Sequence, residues 1–431
     1  VAKKSSPKQV TIRTYDVGFG DCFLLTFHYP NSERHVLVDF GSMSLPKKKT
    51  ITRRYMERIA QEIATDCKGK LHAVVATHRH RDHISGFAMK NGKGPGAIIR
   101  ALKPNVVVQP WTEDPKAQKD AQEPTRARSR QALYLNTLAQ MNEVARHVAQ
   151  AAASLRGSQF AQLRAQLAVI GMDNIANPDA VENLRTMARN RYVYYGSRSG
   201  LESILPGVKV RVLGPPTIRQ TSTILKQRSE DPDEFWHLQA RFWNRQALTA
   251  RALDASAEPL FPPEARGRIP WSARWYRYYA MRERAESLLS IVRILDDAMN
   301  NTSVILLFEV NDKLLLFPGD AQYENWMYAL NQRGVLKKLS GVNVYKVGHH
   351  GSLNATPRTL WNSLKHRGSS TKANRLLSLL STKSGTHGHE NRNTEVPRDT
   401  LVTALCENSH LLDTQTFQPD ELSRAITLDF R

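Results

Sequence analysis

The chain is poor in cysteine: 431 residues carry three, Cys22, Cys67 and Cys406, far apart and without metal-ligand spacing. That excludes a disulfide framework and a cysteine-built metal site, and makes a reducing cytoplasmic setting the simplest expectation. Long apolar runs are missing too. The richest stretch, SVILLFEVNDKLLLF, is broken by Glu309, Asn311, Asp312 and Lys313, so nothing approaches the roughly 20 residues of a membrane span. The opening VAKKSSPKQV is basic with no apolar region behind it, so no export leader is expected. There is no Walker-type glycine loop to support ATP hydrolysis, and no internal repeat. Acidic residues are outnumbered 40 to 61 by Lys and Arg, a formal net charge of +21. Such a surplus favours polyanion partners, and it equally describes a generally basic soluble surface. Hydrophobic residues still make up 41%, enough for a large core, which excludes global disorder.

Patterning along the chain predicts an α/β layer architecture. VTIRTYDV alternates apolar and polar residues, Gly18-Phe19-Gly20-Asp21 turns the chain, and CFLLTFHY follows as a second strand. Strands are also expected at HVLVDFGS (35–42), LHAVVATH (71–78), NVVVQPW (105–111), VKVRVLGPP (208–216), TSVILLFEV, DKLLLFPGD, NVYKVGHHGS (343–352) and NRLLSLLS (374–381). ITRRYMERIAQEIA (51–64) has helical spacing. Two regions differ in texture. Residues 112–200 are rich in Ala, Leu and Gln with a helical period; 217–299 are helical, polar and rich in Arg and aromatics. The expectation is one domain over 9–431, carrying two helical insertions, with both termini inside the core fold.

The strongest chemical signal is Thr77-His78-Arg79-His80-Arg81-Asp82-His83, at the end of an expected buried strand. Imidazole and carboxylate together suit Zn, Mn or Fe. On an extended chain His78 and His80 point the same way and can hold one ion. As the chain turns, Asp82 and His83 can reach a second.

This HxHxDH pattern resembles the metallo-β-lactamase-fold hydrolases. Further motifs agree in order: Asp39 in LVDFGS, Asp320 in LLLFPGD and His349-His350 in YKVGHHGS. The DVGFGD opening, Leu213-Gly214-Pro215 and Asn300-Asn301-Thr302-Ser303 are similar to the hydrolase domain of bacterial competence (DNA-uptake) proteins. The resemblance covers roughly 9–110, 204–216 and 300–405. It implies a metallo-β-lactamase-like αββα sandwich with two divalent ions, Zn or Mn. Their ligands would be His78, His80, Asp82, His83, Asp320 as the bridging carboxylate, and His349, although the sequence does not say which histidine of the His349-His350 pair is the ligand. Asp82, Asp320, His350 and His389 would be catalytic, and Asp39 would orient a ligand histidine. One departure stands out. Many relatives supply a further histidine before the GD aspartate, whereas between Leu201 and Gly319 this chain has only His237. Water, the His349-His350 pair or Asn301 could fill that place.

Two such cations lower the pKa of a bridging water, and the hydroxide attacks phosphorus or a carbonyl carbon. The expected activity is a metal-dependent phosphodiesterase or nuclease acting on DNA or RNA. The alternatives are hydrolysis of a small molecule (a cyclic nucleotide, lactone or phosphate ester) or a metal-bearing component of a defence complex, since fold alone does not choose. Substrate contacts are expected from His387, from Lys47, Lys48 and Lys49 in a loop beyond Asp39, and from Arg274 and Arg277 among the aromatics of WSARWYRYYAMRER. Arg79, Arg81 and Lys346 could bind phosphate or be ordinary surface charges. Nucleic acid is the expected partner, no membrane is, and the helical insertions could dock proteins.

Overall fold

A computed structural model describes residues 6–47, 54–114, 177–217, 219–221, 299–352, 355–386 and 395–430. Two mixed sheets dominate. In the first, β1 (Gln9–Tyr15), β2 (Cys22–Tyr29) and β3 (Ser32–Phe40) form an antiparallel meander. The parallel strands β4 (Ala73–Val75), β5 (Val106–Pro110) and β6 (Arg189–Val193) extend it from β3. The second sheet begins at β7 (Val208–Gly214), β8 (Ile305–Val310) and β9 (Lys313–Phe317), antiparallel to one another. It continues in parallel through β10 (Val344–Lys346), β11 (Leu377–Leu380) and β12 (His410–Asp413). The last strand, β13 (Ser423–Asp429), returns to pair antiparallel with β1, so the C-terminal segment belongs to the first sheet.

Side-chain alternation explains the layering. Val36 and Val38 of β3 face inward with Phe23, Leu25, Val75 and Val108. They meet Leu306, Phe308, Phe317 and Leu379 of the second sheet in one apolar cluster. The alternate residues Leu24, Leu37, Val74 and Val107 face outward, under α1 (Tyr55–Asp66), α3 (Pro95–Ala101) and α4 (Pro178–Thr186). In α1 the buried residues Tyr55, Ile59, Ala60 and Ile63 fall on one helical stripe. On the second sheet's outer face, Leu307, Leu316 and Tyr345 lie under α5 (Tyr323–Leu330), α6 (Val335–Leu339), α7 (Arg358–Ser363) and α8 (Asp399–Asn408). The architecture is therefore mixed α/β, with two sheets face to face and helices outside both.

Most of both helical insertions lies outside the described residues. Within 112–200, however, α4 and β6 belong to the core, and β6 closes the edge of the first sheet. RNRYV escapes a pattern search because an edge strand is covered on one side only and tolerates charge. Among the described residues, no helix is long and apolar enough to cross a membrane.

One buried histidine away from the motifs sets a pH response. His72 packs beside His35, whose backbone N–H donates to its Nδ1 at 3.1 Å, and Arg34 lies 3.0 Å from its Nε2. Burial, then the Arg34 charge, pushes its pKa down to about 4. The folded state keeps this imidazole neutral, while the unfolded chain protonates it near pH 6.5. Its contribution is present above about pH 6.5 and is lost as pH falls toward about 4, on the order of 3 kcal/mol in full. Melting temperatures from pH 7 downward should fall less steeply for His72→Gln than for wild type. Parallel curves would contradict this assignment.

Candidate metal centre

The centre lies where β3, β4, β9, β10 and β11 end, at the carboxyl ends of neighbouring parallel strands. Side chains just past such ends converge on a common crevice. Thr77 and His78 follow β4, and His80 caps the one-turn helix α2 (Arg81–Ile84). The chain is thus extended at His78 and His80 and helical at Asp82 and His83. This change divides the motif into two pairs of donors.

The first group is Asp82, His83, Asp320 and His350, all buried, with donor atoms within 4.8 Å of one another. His83 Nε2 lies 3.0 Å from Asp320 Oδ2 and 3.7 Å from Asp82 Oδ1. His350 Nε2 lies 2.7 Å from Asp82 Oδ2 and 3.3 Å from Asp320 Oδ2. Tetrahedral ligands at zinc distances stand about 3.3 Å apart, so this spacing suits one divalent ion. Asp82 Oδ1, His83 Nε2 and Asp320 Oδ2 are buried yet meet without hydrogen-bond alignment. Orphaned polar atoms are costly unless a cation completes them. The second group is His78, His80 and Asp82, with His78 Nε2 3.1 Å from His80 Nδ1. The residues present therefore fit a metal.

Each ligand is held from behind. Asp39 accepts from the Thr77 backbone N–H and hydroxyl, both at 2.7 Å, and its Oδ2 is 2.8 Å from His83 Nδ1. That contact places the His83 proton on Nδ1 and leaves Nε2 as the donor, as in a carboxylate–histidine–metal relay. His350 does the same through the Ser381 carbonyl, 3.0 Å from its Nδ1. Asp320 Oδ1 accepts from Lys346 Nζ and from the His349 backbone N–H, each at 3.0 Å, which turns Oδ2 toward the histidines. Lys346 also pairs with the buried Asp21. The turn around Asp21 closes on α2: its N–H donates to the Asp82 carbonyl at 2.9 Å. Gly41 lies so close that a Cβ there would stand 2.5 Å from the Asp82 carbonyl carbon and the His83 nitrogen, which leaves room only for glycine.

Electrostatics follow from the burial of so many charges. For His83 and His350 burial opposes protonation, but the surrounding carboxylates outweigh it and raise both pKa values. His78 is lowered by burial and by its histidine neighbours. Burial works against ionised Asp82 and Asp320, yet His83 and its cationic neighbours hold both below the usual range. Carboxylates held ionised around buried imidazoles are a donor set that a divalent cation takes in place of the imidazole protons.

The two histidines of YKVGHHGS separate in space. Both occupy left-handed backbone, φ 45° at His349 and 52° at His350. His350 turns into the carboxylate cluster, whereas the His349 ring faces Asn300 at 3.4 Å and Gln322 at 3.5 Å. The sequence puts His349 forward for the metal and His350 for catalysis while leaving open which of the pair is the ligand; the geometry brings His350 to the donor cluster and leaves His349 outside it. Asn301 is spoken for: its Nδ2 donates to Glu324 at 2.7 Å, and its Oδ1 accepts from the Asn325 N–H at 3.3 Å. Arg79 is held by Glu113 in a fork, and Lys346 is buried, so neither is a surface phosphate contact. Lys47 is exposed, and its charge adds to burial in lowering the pKa of Lys383. Lys48, Lys49, Arg274, Arg277, His387 and His389 lie outside the described residues.

The sequence assigns Asp21 no role at the site, and gives Lys346 only that of a phosphate contact or surface charge. The available signals were an aspartate closing a glycine turn before an apolar strand, and a lone lysine inside the apolar VYKVG. Compared with known proteins, the chain matches no family model and pairs with no curated protein.

Proposed function

We propose that the chain is a metal-dependent hydrolase of the metallo-β-lactamase-like αββα type that cleaves phosphodiesters in DNA or RNA. The observation that carries this is the convergence of Asp82, His83, Asp320 and His350 on one point, with His78 and His80 beside it. The net charge of +21 favours a polyanionic substrate, and the resemblance to DNA-uptake hydrolase domains carried by DVGFGD, LGP and HHGS points the same way.

In this reading Asp82, His83, Asp320 and His350 hold one divalent ion, Zn or Mn, and His78, His80 and Asp82 hold the other. Such ions, when bound, supply a nucleophile from water at neutral pH and stabilise charge on the phosphoryl oxygens. The chain's own residues supply the order. Asp39 and the Ser381 carbonyl keep the Nδ1 protons of His83 and His350 in place and the Nε2 lone pairs free. Lys346 and the His349 N–H hold Asp320 with one oxygen turned inward. Burial excludes bulk water and strengthens each of these interactions.

The test is hydrolysis by metal-reconstituted protein of plasmid, single-stranded DNA, RNA and bis-p-nitrophenyl phosphate. Polynucleotide cleavage that EDTA abolishes is the expected result. Turnover confined to the small ester would move the reading to a small-molecule hydrolase, and no turnover at full metal content would sink it.

A further inference from the structure

The edge of the sandwich formed by β6 and β7 carries a groove outside the metal centre. Two adjoining cavities of about 610 and 660 Å³ share Arg198 and Glu202 in their walls. Strand β6 and the turn after it read RNRYVYYGSR, residues 189–198, in which arginines flank tyrosines.

Three observations give the groove a chemistry. Beside the wall residue Tyr195, and outside the cavity walls themselves, Tyr194 is the one large hydrophobic side chain left exposed among the described residues, at 42%. It is held there by its turn: its N–H donates to Ser197 Oγ at 2.9 Å, and Gly196, at φ 79°, donates to the Val212 carbonyl of β7 at 2.9 Å. Its neighbour Tyr195 packs edge-on against Tyr328, so the two rings part and only Tyr194 is offered to solvent. The second observation is unbalanced charge. Arg189, Arg198, Lys209 and Arg333 are exposed wall residues with no ion-pair partner among the described residues. The nearby acids are occupied: Glu202 accepts from the N–H groups of Ser199 and Gly200, both at 2.8 Å, and Glu309 holds Arg211 and Lys338. Finally, on β7 the outward Lys209 and Arg211 alternate with buried Val208, Val210 and Val212, which fixes two cations along one rim.

We propose that this edge is a track for single-stranded nucleic acid, with Tyr194 stacking on a base and Arg189, Arg198, Lys209 and Arg333 facing the phosphates. The proposal rests on the phosphodiesterase reading and adds the strand form that the enzyme takes. A tyrosine face can stack only on a base that is not already stacked in a duplex, and exposed cations contribute by releasing the strand's counterions.

The test is fluorescence anisotropy of labelled oligo-dT in EDTA, where binding is read without turnover. Tyr194→Ala should weaken binding about fivefold or more, and Tyr194→Trp should restore it. Arg198→Glu with Lys209→Glu should weaken it further and flatten the salt dependence by about 0.7 in slope per lost phosphate contact. Arg198→Gln with Lys209→Gln repeats the test should the reversals misfold. Blunt duplex should bind less tightly than the single strand. Unchanged affinity and slope in these variants would overturn the track, as would equal competition by polyglutamate, which would mark a general acidic-partner surface. Protein that binds the strand through these residues but hydrolyses no ester would support the track and overturn the hydrolase reading alone.

Discussion

Asp320→Ala should lower turnover by roughly 10²–10³-fold or more, the scale on which one preorganised electrostatic group acts. Asp320 meets both histidines of the four-donor group through one oxygen, Oδ2, 3.0 Å from His83 and 3.3 Å from His350, whereas Asp82 meets them through separate oxygens. Its removal takes a ligand oxygen away and leaves Lys346 without one of its two carboxylates. Asp320→Asn keeps the shape and one oxygen but loses the charge, so it should fall between alanine and wild type. Steady-state rates on bis-p-nitrophenyl phosphate, with metal content measured on the same samples, check this. Wild-type rates in Asp320→Ala would remove Asp320 from the centre.

The second large effect is on stability. Lys346 is buried between Asp21 and Asp320 and also donates to the Gly319 carbonyl at 3.0 Å. Burial disfavours its charge, yet the two carboxylates outweigh that and raise its pKa, so the ammonium persists. Lys346→Met fills similar space without charge and strands two acids in the core. Removing one partner of a buried ion pair typically costs about 3–5 kcal/mol. For a chain of this size that is a fall in melting temperature of roughly 3–6 °C. Divalent metal should recover part of the loss, because it brings positive charge to Asp320, and Lys346→Arg should lose less than Lys346→Met. Calorimetry with and without Mn measures both. A Lys346→Met melt that coincides with wild type would contradict this role.

Much of this arrangement is legible in the residues themselves. The strands that are apolar throughout or nearly so, such as AVV of β4 and LSLL of β11, are buried on both faces and stand out in any pattern. The HxHxDH run places itself, because donors two apart on extended chain and two more in a helical turn can face one crevice. The edge strands β6 and β13 do not stand out, since most of their residues are only partly covered or exposed and charge is allowed there. Lys346 looks like a surface phosphate contact because a lysine is normally solvated. Only the fold reveals that two aspartates from distant segments enclose it. The choice between His349 and His350 depends on two consecutive left-handed residues, a backbone geometry that residue types alone do not specify.

Metal at Asp82 and its partners is measured directly by elemental analysis of wild-type, His80→Ala and Asp82→Ala protein after reconstitution with Zn or Mn and exhaustive dialysis. Wild type should hold up to two equivalents, His80→Ala less, and Asp82→Ala least, because Asp82 joins the His83, Asp320 and His350 group to the His78 and His80 group. Wild-type protein that retains no transition metal, or an Asp82→Ala variant that retains as much as wild type, would contradict metal binding there.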